Sequence, residues 1–251
     1  NGMHPTGTEG NAGVHLAGRS QHAGVTRWDR RARPRTPQPM NDSFRGPVVG
    51  WTALFLVTYV AYVPALFGGF VWDDDQYVTH NPTLTDLSGL HRIWFTPRAT
   101  PQYYPLVFTT FWAERHAWGL HPVGYHLVNI GLHALNAALL WRVLRRLGVP
   151  GAWFAGALFA LHPVRVESVA WITERKNVLS TLFYLAAGLT FLRLYRIGEP
   201  SVQDATLGPG RRDRCLYWTM FLLFLGALAS KTVTCTCIRL RHSCRGTRTA
   251  G

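Results

Sequence analysis

The stretch Pro47-Val-Val-Gly-Trp-Thr-Ala-Leu-Phe-Leu-Val-Thr-Tyr-Val-Ala-Tyr-Val-Pro-Ala-Leu-Phe67 carries no charge, and it runs almost at once into Gly69-Phe-Val-Trp-Asp-Asp-Asp75. About 20 uncharged residues rising 1.5 Å each are long enough to cross a hydrocarbon layer about 30 Å thick. A buried helix of a soluble protein would carry a polar stripe, and this run has none. It reads as a transmembrane helix with three consecutive carboxylates, Asp73, Asp74 and Asp75, fixed at one end.

Further along, the same alternation of apolar block and charge recurs. A second span is expected from about Val123 to Trp141, closed by Arg142, Arg145 and Arg146. After the turn Gly148-Val-Pro150, Gly151 to Leu161 reads as a short third span that His162-Pro163 interrupts. A fourth, Val178 to Leu192, ends in Arg193 and Arg196. A polar loop with Gly208-Pro-Gly210, Arg211, Arg212 and Arg214 leads to a fifth, Leu216 to about Ala229. The expected fold is all-α, a polytopic membrane helical bundle of about five spans.

Orientation follows from where the cations sit. Arginines precede span one, join spans two and three, and join spans four and five, so these places share the cytoplasmic side. The N-terminus is then cytoplasmic, and the loops 69–122 and 164–177, with all their acids, lie outside. Within the first loop, Leu87 to Phe95 reads as a short amphipathic helix. Tyr104 to Leu120, interrupted by Glu114, Arg115 and His116, reads as lying along the membrane interface.

The membrane domain is expected over residues 46–234. Residues 1–45 lack hydrophobic periodicity and read as a disordered basic segment. No secretory signal opens the chain, which starts at Asn1, and Met40 is a sensible start. The Cys/Arg-rich tail 235–251 breaks the pattern and reads as a frameshift or truncation. Its Cys235, Cys237, His242 and Cys244 match no standard zinc spacing. The net charge of +13 suggests nucleic acid, but the arginines terminate apolar runs instead of lining one face, and only 16% of residues are charged. Nucleic-acid binding is therefore set aside.

Three groups carry candidate chemistry. Adjacent like charges at Asp73–Asp75 repel, so one carboxylate should have a raised pKa or the cluster should bind a divalent cation. A carboxylate held there suits a general base on a hydroxyl; the plain alternative is a solvated acidic helix end. The second group is His162-Pro-Val-Arg165-Val-Glu167-Ser168 with Glu174-Arg175-Lys176-Asn177. Arg165, Arg175 and Lys176 stand against the charge bias of that face and suit an anionic head group, with His162 and Glu167 beside them. Otherwise the segment is a loop with internal salt bridges. His126, Asn129, His133 and Asn136 form a polar stripe at helical spacing along span two, fitted to helix packing more than to a metal.

The ordered motifs Phe-Val-Trp-Asp-Asp-Asp, Gln102-Tyr-Tyr-Pro-Leu106, Gly119-Leu-His-Pro, Gly124-Tyr-His-Leu-Val-Asn129, His162-Pro-Val-Arg-Val-Glu-Ser168 and Glu174-Arg-Lys-Asn177 resemble a known family. It is the N-terminal membrane half of the transmembrane-and-tetratricopeptide-repeat (TMTC-type) proteins, most closely their bacterial relatives, within the GT-C glycosyltransferase superfamily. The likeness covers about residues 47–236. It implies an integral protein of the bacterial inner membrane that transfers a sugar, such as mannose, from a polyprenyl-phosphate donor to a protein hydroxyl. It also implies that Asp73 and Asp74, with Asp75 as alternative partner, supply the base for an inverting displacement. Such proteins have about twice as many spans and usually a C-terminal repeat array, so the chain reads as part of one, and the first rival function is a non-catalytic membrane scaffold in which the full-length protein works through its repeats. A transporter or cation-binding protein is the second.

Overall fold

The computed structural model describes residues 47–198 and 210–231. The readings made on the basic segment 1–45, on the loop before Gly210 and on the tail from Cys235 fall outside the described residues. Every element among the described residues is helical: α1 (Pro47–Tyr62), α2 (Leu87–Phe95), α3 (Pro105–Trp118), α4 (Pro122–Arg146), α5 (Ala152–Leu161), α6 (Val166–Ala170), α7 (Arg175–Leu194) and α8 (Arg211–Ser230). Tight turns join them: a 3-10 turn at Val63–Phe67, a π turn at Asp75–Thr79, and 3-10 turns at Pro82–Leu84, Pro163–Arg165 and Ile172–Glu174. Local chemistry sets the boundaries. α1 tightens where Pro64 removes a backbone N–H. The Asp86 carboxylate accepts from the Gly89 N–H at 2.7 Å and starts α2 at the expected residue. Pro105 and Pro122 begin α3 and α4, where a missing N–H costs nothing.

Among the described residues, three helices are long and apolar enough to cross a membrane: Val48–Phe67, Pro122–Arg146 and Ile172–Leu194. They are the expected spans one, two and four. The expected short third span, interrupted at His162-Pro163, is α5, and the expected fifth lies within α8; neither reaches that length and hydropathy. α5 has ten residues, about 15 Å at 1.5 Å per residue and half of what a crossing needs. α8 falls short because its first turn is Arg211-Arg-Asp-Arg214.

A broken crossing, α5 and the short turns after it, therefore carries the chain from the end of α4 back to the start of α7. α4 and α7 run side by side in one direction: Arg175 near the start of α7 meets Tyr125 and Asn129 near the start of α4, and Ile197 beyond α7 meets Arg146 at the end of α4. Residues 152–174 bring the chain back between them, partly without helix. Backbone that leaves a helix at membrane depth must find partners within the protein. The polar stripe of α4 supplies them. His133 Nε2 meets the Ala160 carbonyl at 3.1 Å. Asn129 Nδ2 is shared among the carbonyls of Val169, Trp171 and Ile172 at 3.1–3.4 Å, and Asn136 Nδ2 donates to the Val178 carbonyl at 2.8 Å.

At the opposite end of α4 the arginines gather. Arg146 Nε donates to the Ile197 carbonyl at 3.0 Å. Gly198 has φ +78°, and a Cβ there would stand 1.9 Å from the Arg146 carbonyl oxygen, so only glycine fits.

The long connection 69–122 forms a folded cap. Tyr77, Val78, Leu84, Ile93, Val107, Phe108 and Phe111 bury one apolar cluster together with Tyr125, Ile172 and Leu179 of the bundle. Each fully buried side chain of this kind stabilises by about 1.5–3 kcal/mol, against about 1 kcal/mol for a single neutral hydrogen bond. Packing thus holds the cap down, and its hydrogen bonds set direction. Through the cap's centre runs a buried ion pair between Glu114 of α3 and Arg175. Arg175 is fully buried and also donates to Asn129 Oδ1 at 2.7 Å, Tyr125 O at 2.9 Å and Thr110 Oγ1 at 3.3 Å, with Phe111 4.8 Å away under its guanidinium.

Removing one partner of such a pair strands a buried charge, at about 3–5 kcal/mol, whereas an apolar pair of similar volume is close to neutral. Glu114→Leu is therefore expected to lower the thermal unfolding midpoint in detergent sharply, and Glu114→Leu with Arg175→Met to recover most of the loss. A single variant as stable as the parent would show that the pair does not tie the cap to the bundle.

Candidate functional site

The acidic loop leaves α1 through Gly68 and Gly69 and turns at Trp72, which has φ +48°, a conformation a bulky residue adopts only where the surroundings impose it. Trp72 packs edge-on against Trp171, with ring centroids 5.1 Å apart. The turn sends the three carboxylates in different directions. Asp74 is fully buried: Oδ2 accepts from the Val71 N–H and Oδ1 from the Thr173 N–H, both at 2.9 Å. One side chain therefore closes its own loop and clamps it to a segment 99 residues later in the chain. Asp75 starts the π turn and accepts from Thr79 Oγ1 at 2.8 Å, with His80 4.0 Å away. Asp73 is exposed, and its side chain makes no hydrogen bond or ion pair among the described residues.

Burial pushes the Asp74 carboxyl above the usual carboxylate range, the two backbone N–H groups pull it back, and the charge of Asp73 adds least. A raised carboxyl in the cluster was expected, but from repulsion between neighbours; desolvation is the larger cause. Among the described residues no three His, Cys, Asp or Glu side chains gather as metal ligands.

The second group meets the first through Thr173 and Tyr77. Tyr77 is buried, and its hydroxyl is pushed up to about 12 by that burial, with Tyr104, Asp73 and Glu174 adding to the shift, so it stays neutral. Lys176 pairs with Glu174 at 2.7 Å, both side chains mostly buried, and stands 5.8 Å from the Tyr77 ring. Asn177 donates to Glu174 and to Ser168 Oγ, the latter at 3.2 Å, and accepts from Lys231 at the end of α8. Arg165 lies 4.6 Å over the Phe159 ring and makes no ion pair among the described residues. His162 is exposed, and its Nδ1 accepts from the Val164 N–H at 3.3 Å, capping the following turn. Glu167 is exposed in the first turn of α6.

Arg175 requires a correction. Its charge against the bias of this face suggested an anion ligand, but it lies inside, with Nε and both terminal nitrogens donating to protein groups. It presents nothing to the surface. Lys231 was missed, although a lone cation at the far end of an arginine-anchored helix carries the signal that singled out Arg165.

Fold and site together define a helical membrane protein whose carboxylates and unlike-sided cations meet at the bundle end opposite its arginines. Comparison with known proteins gives the likeness more narrowly. The chain is 33% identical over 173 residues to the protein O-mannosyl-transferase Tmtc1 of Drosophila melanogaster, covering 64% of this chain and 20% of that protein. It is 32% identical over 191 residues to TMTC3 of Mus musculus (71% and 19%), and 30% identical over 206 residues to TMTC4 of Homo sapiens (71% and 27%). The chain is TMTC-like across its membrane part, and it spans only about a fifth to a quarter of the length of these relatives. No family model and no solved structure matches it.

The Asp74 shift has a fixed sign. A carboxyl raised on folding favours the protonated native state, so its contribution is complete below the unfolded value of about 3.9 and is lost as pH rises through the folded value. The stability of Asp74→Asn relative to the parent should therefore climb as pH rises from about 4. Parallel unfolding curves at every pH would mean that Asp74 is not buried as described.

Proposed function

We propose that the chain is part of an integral-membrane glycosyltransferase that moves a sugar, mannose in the first instance, from a polyprenyl-phosphate donor to a protein hydroxyl. The carrying observation is that Asp73 alone of the three acids is exposed and uncommitted, on a loop locked in place by its neighbour Asp74. A base must be free to take a proton yet fixed in position. The relatives' shared name, protein O-mannosyl-transferase, supports the reaction class.

In this reading Asp73 takes the proton of the acceptor hydroxyl as its oxygen attacks the anomeric carbon. The bond from that carbon to the phosphate oxygen breaks on the opposite face, inverting the configuration, and the lipid phosphate leaves with the electron pair. Arg165 and Lys176 neutralise it, with His162 and Glu167 at the rim of the same segment. Arg175 moves from this set to the scaffold, holding Asn129 and through it the carbonyls of Trp171 and Ile172. Asp74 becomes a positioning residue and Asp75 the start of the π turn. The chain sits in a bacterial inner membrane with the arginine end cytoplasmic and the acidic end outside, by the charge bias of its loops.

The test is sugar transfer to a serine- and threonine-containing peptide by the chain reconstituted in proteoliposomes with polyprenyl-phosphate mannose. Asp73→Asn should lose transfer by about 10²–10⁴-fold, the range of a general base, with membrane insertion and unfolding midpoint unchanged. Asp75→Asn should lose far less. Full transfer by Asp73→Asn would remove it from the reaction.

A further inference from the structure

The arginine end of the bundle holds a cleft of about 370 Å³ between the end of α7 and the start of α8, lined by Leu194, Tyr195, Asp213, Arg214, Tyr217 and Trp218. The two helices are antiparallel, because Lys231 at the far end of α8 reaches Asn177 near the start of α7. Charge around the cleft is one-sided. Arg193 lies in the last turn of α7 and Arg196 just past it, and Arg211, Arg212 and Arg214 open α8. None of these five side chains makes an ion pair among the described residues. Asp213, the one acid in the wall, is turned to the backbone and accepts from the Gly210 N–H at 3.2 Å.

The surface leading away from the cleft along α8 is graded. Arg211, Arg214, Trp218, Phe221, Leu222 and Leu225 recur at three and four residues, which sets them on one helix face, and all six are exposed. The Trp218 ring meets those of Tyr217 and Phe221, each with centroids 5.9 Å apart. Cations come first, then aromatic rings, then aliphatic side chains. From Arg211 to Leu225 the helix rises about 21 Å at 1.5 Å per residue, close to half of the roughly 40–45 Å of a bilayer with its headgroups. That order and that depth are those of one leaflet.

The chemistry selects among occupants. Unpaired guanidinium groups suit a phosphodiester, and basic pockets between helices on the cytoplasmic side receive anionic headgroups. A zwitterionic headgroup would bring one more cation to a place that already holds five. Free phosphate would satisfy the arginines and leave the apolar face of α8 bare. We infer that this cleft binds an anionic glycerophospholipid, with its phosphate on Arg214, Arg211 one turn away, and its acyl chains along Trp218, Phe221, Leu222 and Leu225. The site lies at the opposite end of α8 from Lys231 and needs no part of the transferase reading. Bound lipid fastens the start of α8 against α7, the helix whose Asn177 Lys231 meets at the other end.

Native mass spectrometry of the full chain, released from nanodiscs of equal parts phosphatidylglycerol and phosphatidylethanolamine, reads which lipid stays bound. The parent should retain phosphatidylglycerol in preference. Arg214→Gln should weaken that retention about tenfold, the loss of one charge-assisted hydrogen bond, and Leu222→Ser should weaken it several-fold. Arg145, at the same end but over the Trp141 ring, is the control: Arg145→Gln should retain lipid like the parent. All three variants should unfold at the parent's midpoint in lipid-free detergent. Equal losses in Arg145→Gln and Arg214→Gln, or equal retention of the two lipids by the parent, would reduce the cleft to the general charge of this end and overturn the site. Displacement of the lipid by inorganic phosphate, with no loss in Leu222→Ser, would leave an anion site only. A dimer in place of the lipid-bound monomer would assign the face to a second copy. Retention that appears only when Glu199→Gln and Asp204→Asn are combined would assign the cleft to the loop before Gly210. Each of these three results would likewise overturn the inference.

Discussion

A polypeptide that stops being helical at membrane depth must have its carbonyls met from within the protein, and here one edge of α4 meets them. His133, Asn129 and Asn136 reach Ala160, Val169, Trp171, Ile172 and Val178 in turn. Each bond adds about 1 kcal/mol net, but each orphaned group would cost about 1–3 kcal/mol. That edge holds the segment between α5 and α7, and with it the Thr173 N–H that reaches Asp74. Arg175 locks the arrangement by holding Asn129 from the other side and tying it to Glu114.

Much of this was legible. α1 follows from an uncharged run of the right length, and α2 from one amphipathic repeat and its Asp86 cap. The spacing of His126, Asn129, His133 and Asn136 pointed to an inward face, though not to what lay opposite. What stayed hidden depended on partners far along the chain. Arg175 and Arg165 look alike as cations out of place; only the fold shows that Glu114, 61 residues earlier, waits for one while the other lies over the Phe159 ring. Asp73 and Asp74 are equivalent in sequence, and the backbone turn at Trp72 decides which is buried. The end of α5 was legible, by contrast, in the His162-Pro163 that follows Leu161.

The adjacent acids divide their duties in a way neither could manage alone. A carboxylate that is buried and accepts two backbone N–H groups is fixed but out of a substrate's reach, and an exposed one is available but mobile. Joining them by a single peptide bond gives the exposed acid the rigidity of the buried one. The cluster Glu174, Lys176, Asn177 and Lys231 acts similarly across the bundle, joining α7 to the end of α8 beside Tyr77.

The parallel course of α4 and α7 has an electrical consequence. Aligned peptide dipoles leave about half a positive charge at a helix N-terminus and half a negative one at its C-terminus. Both N-termini, at Pro122 and Arg175, lie at the acidic-loop end, and the C-termini lie among Arg145, Arg146 and Arg193. The end where an anion would be released therefore carries a positive potential that belongs to the backbone. No change of pH can titrate it, and no side-chain substitution that leaves the two helices standing can remove it.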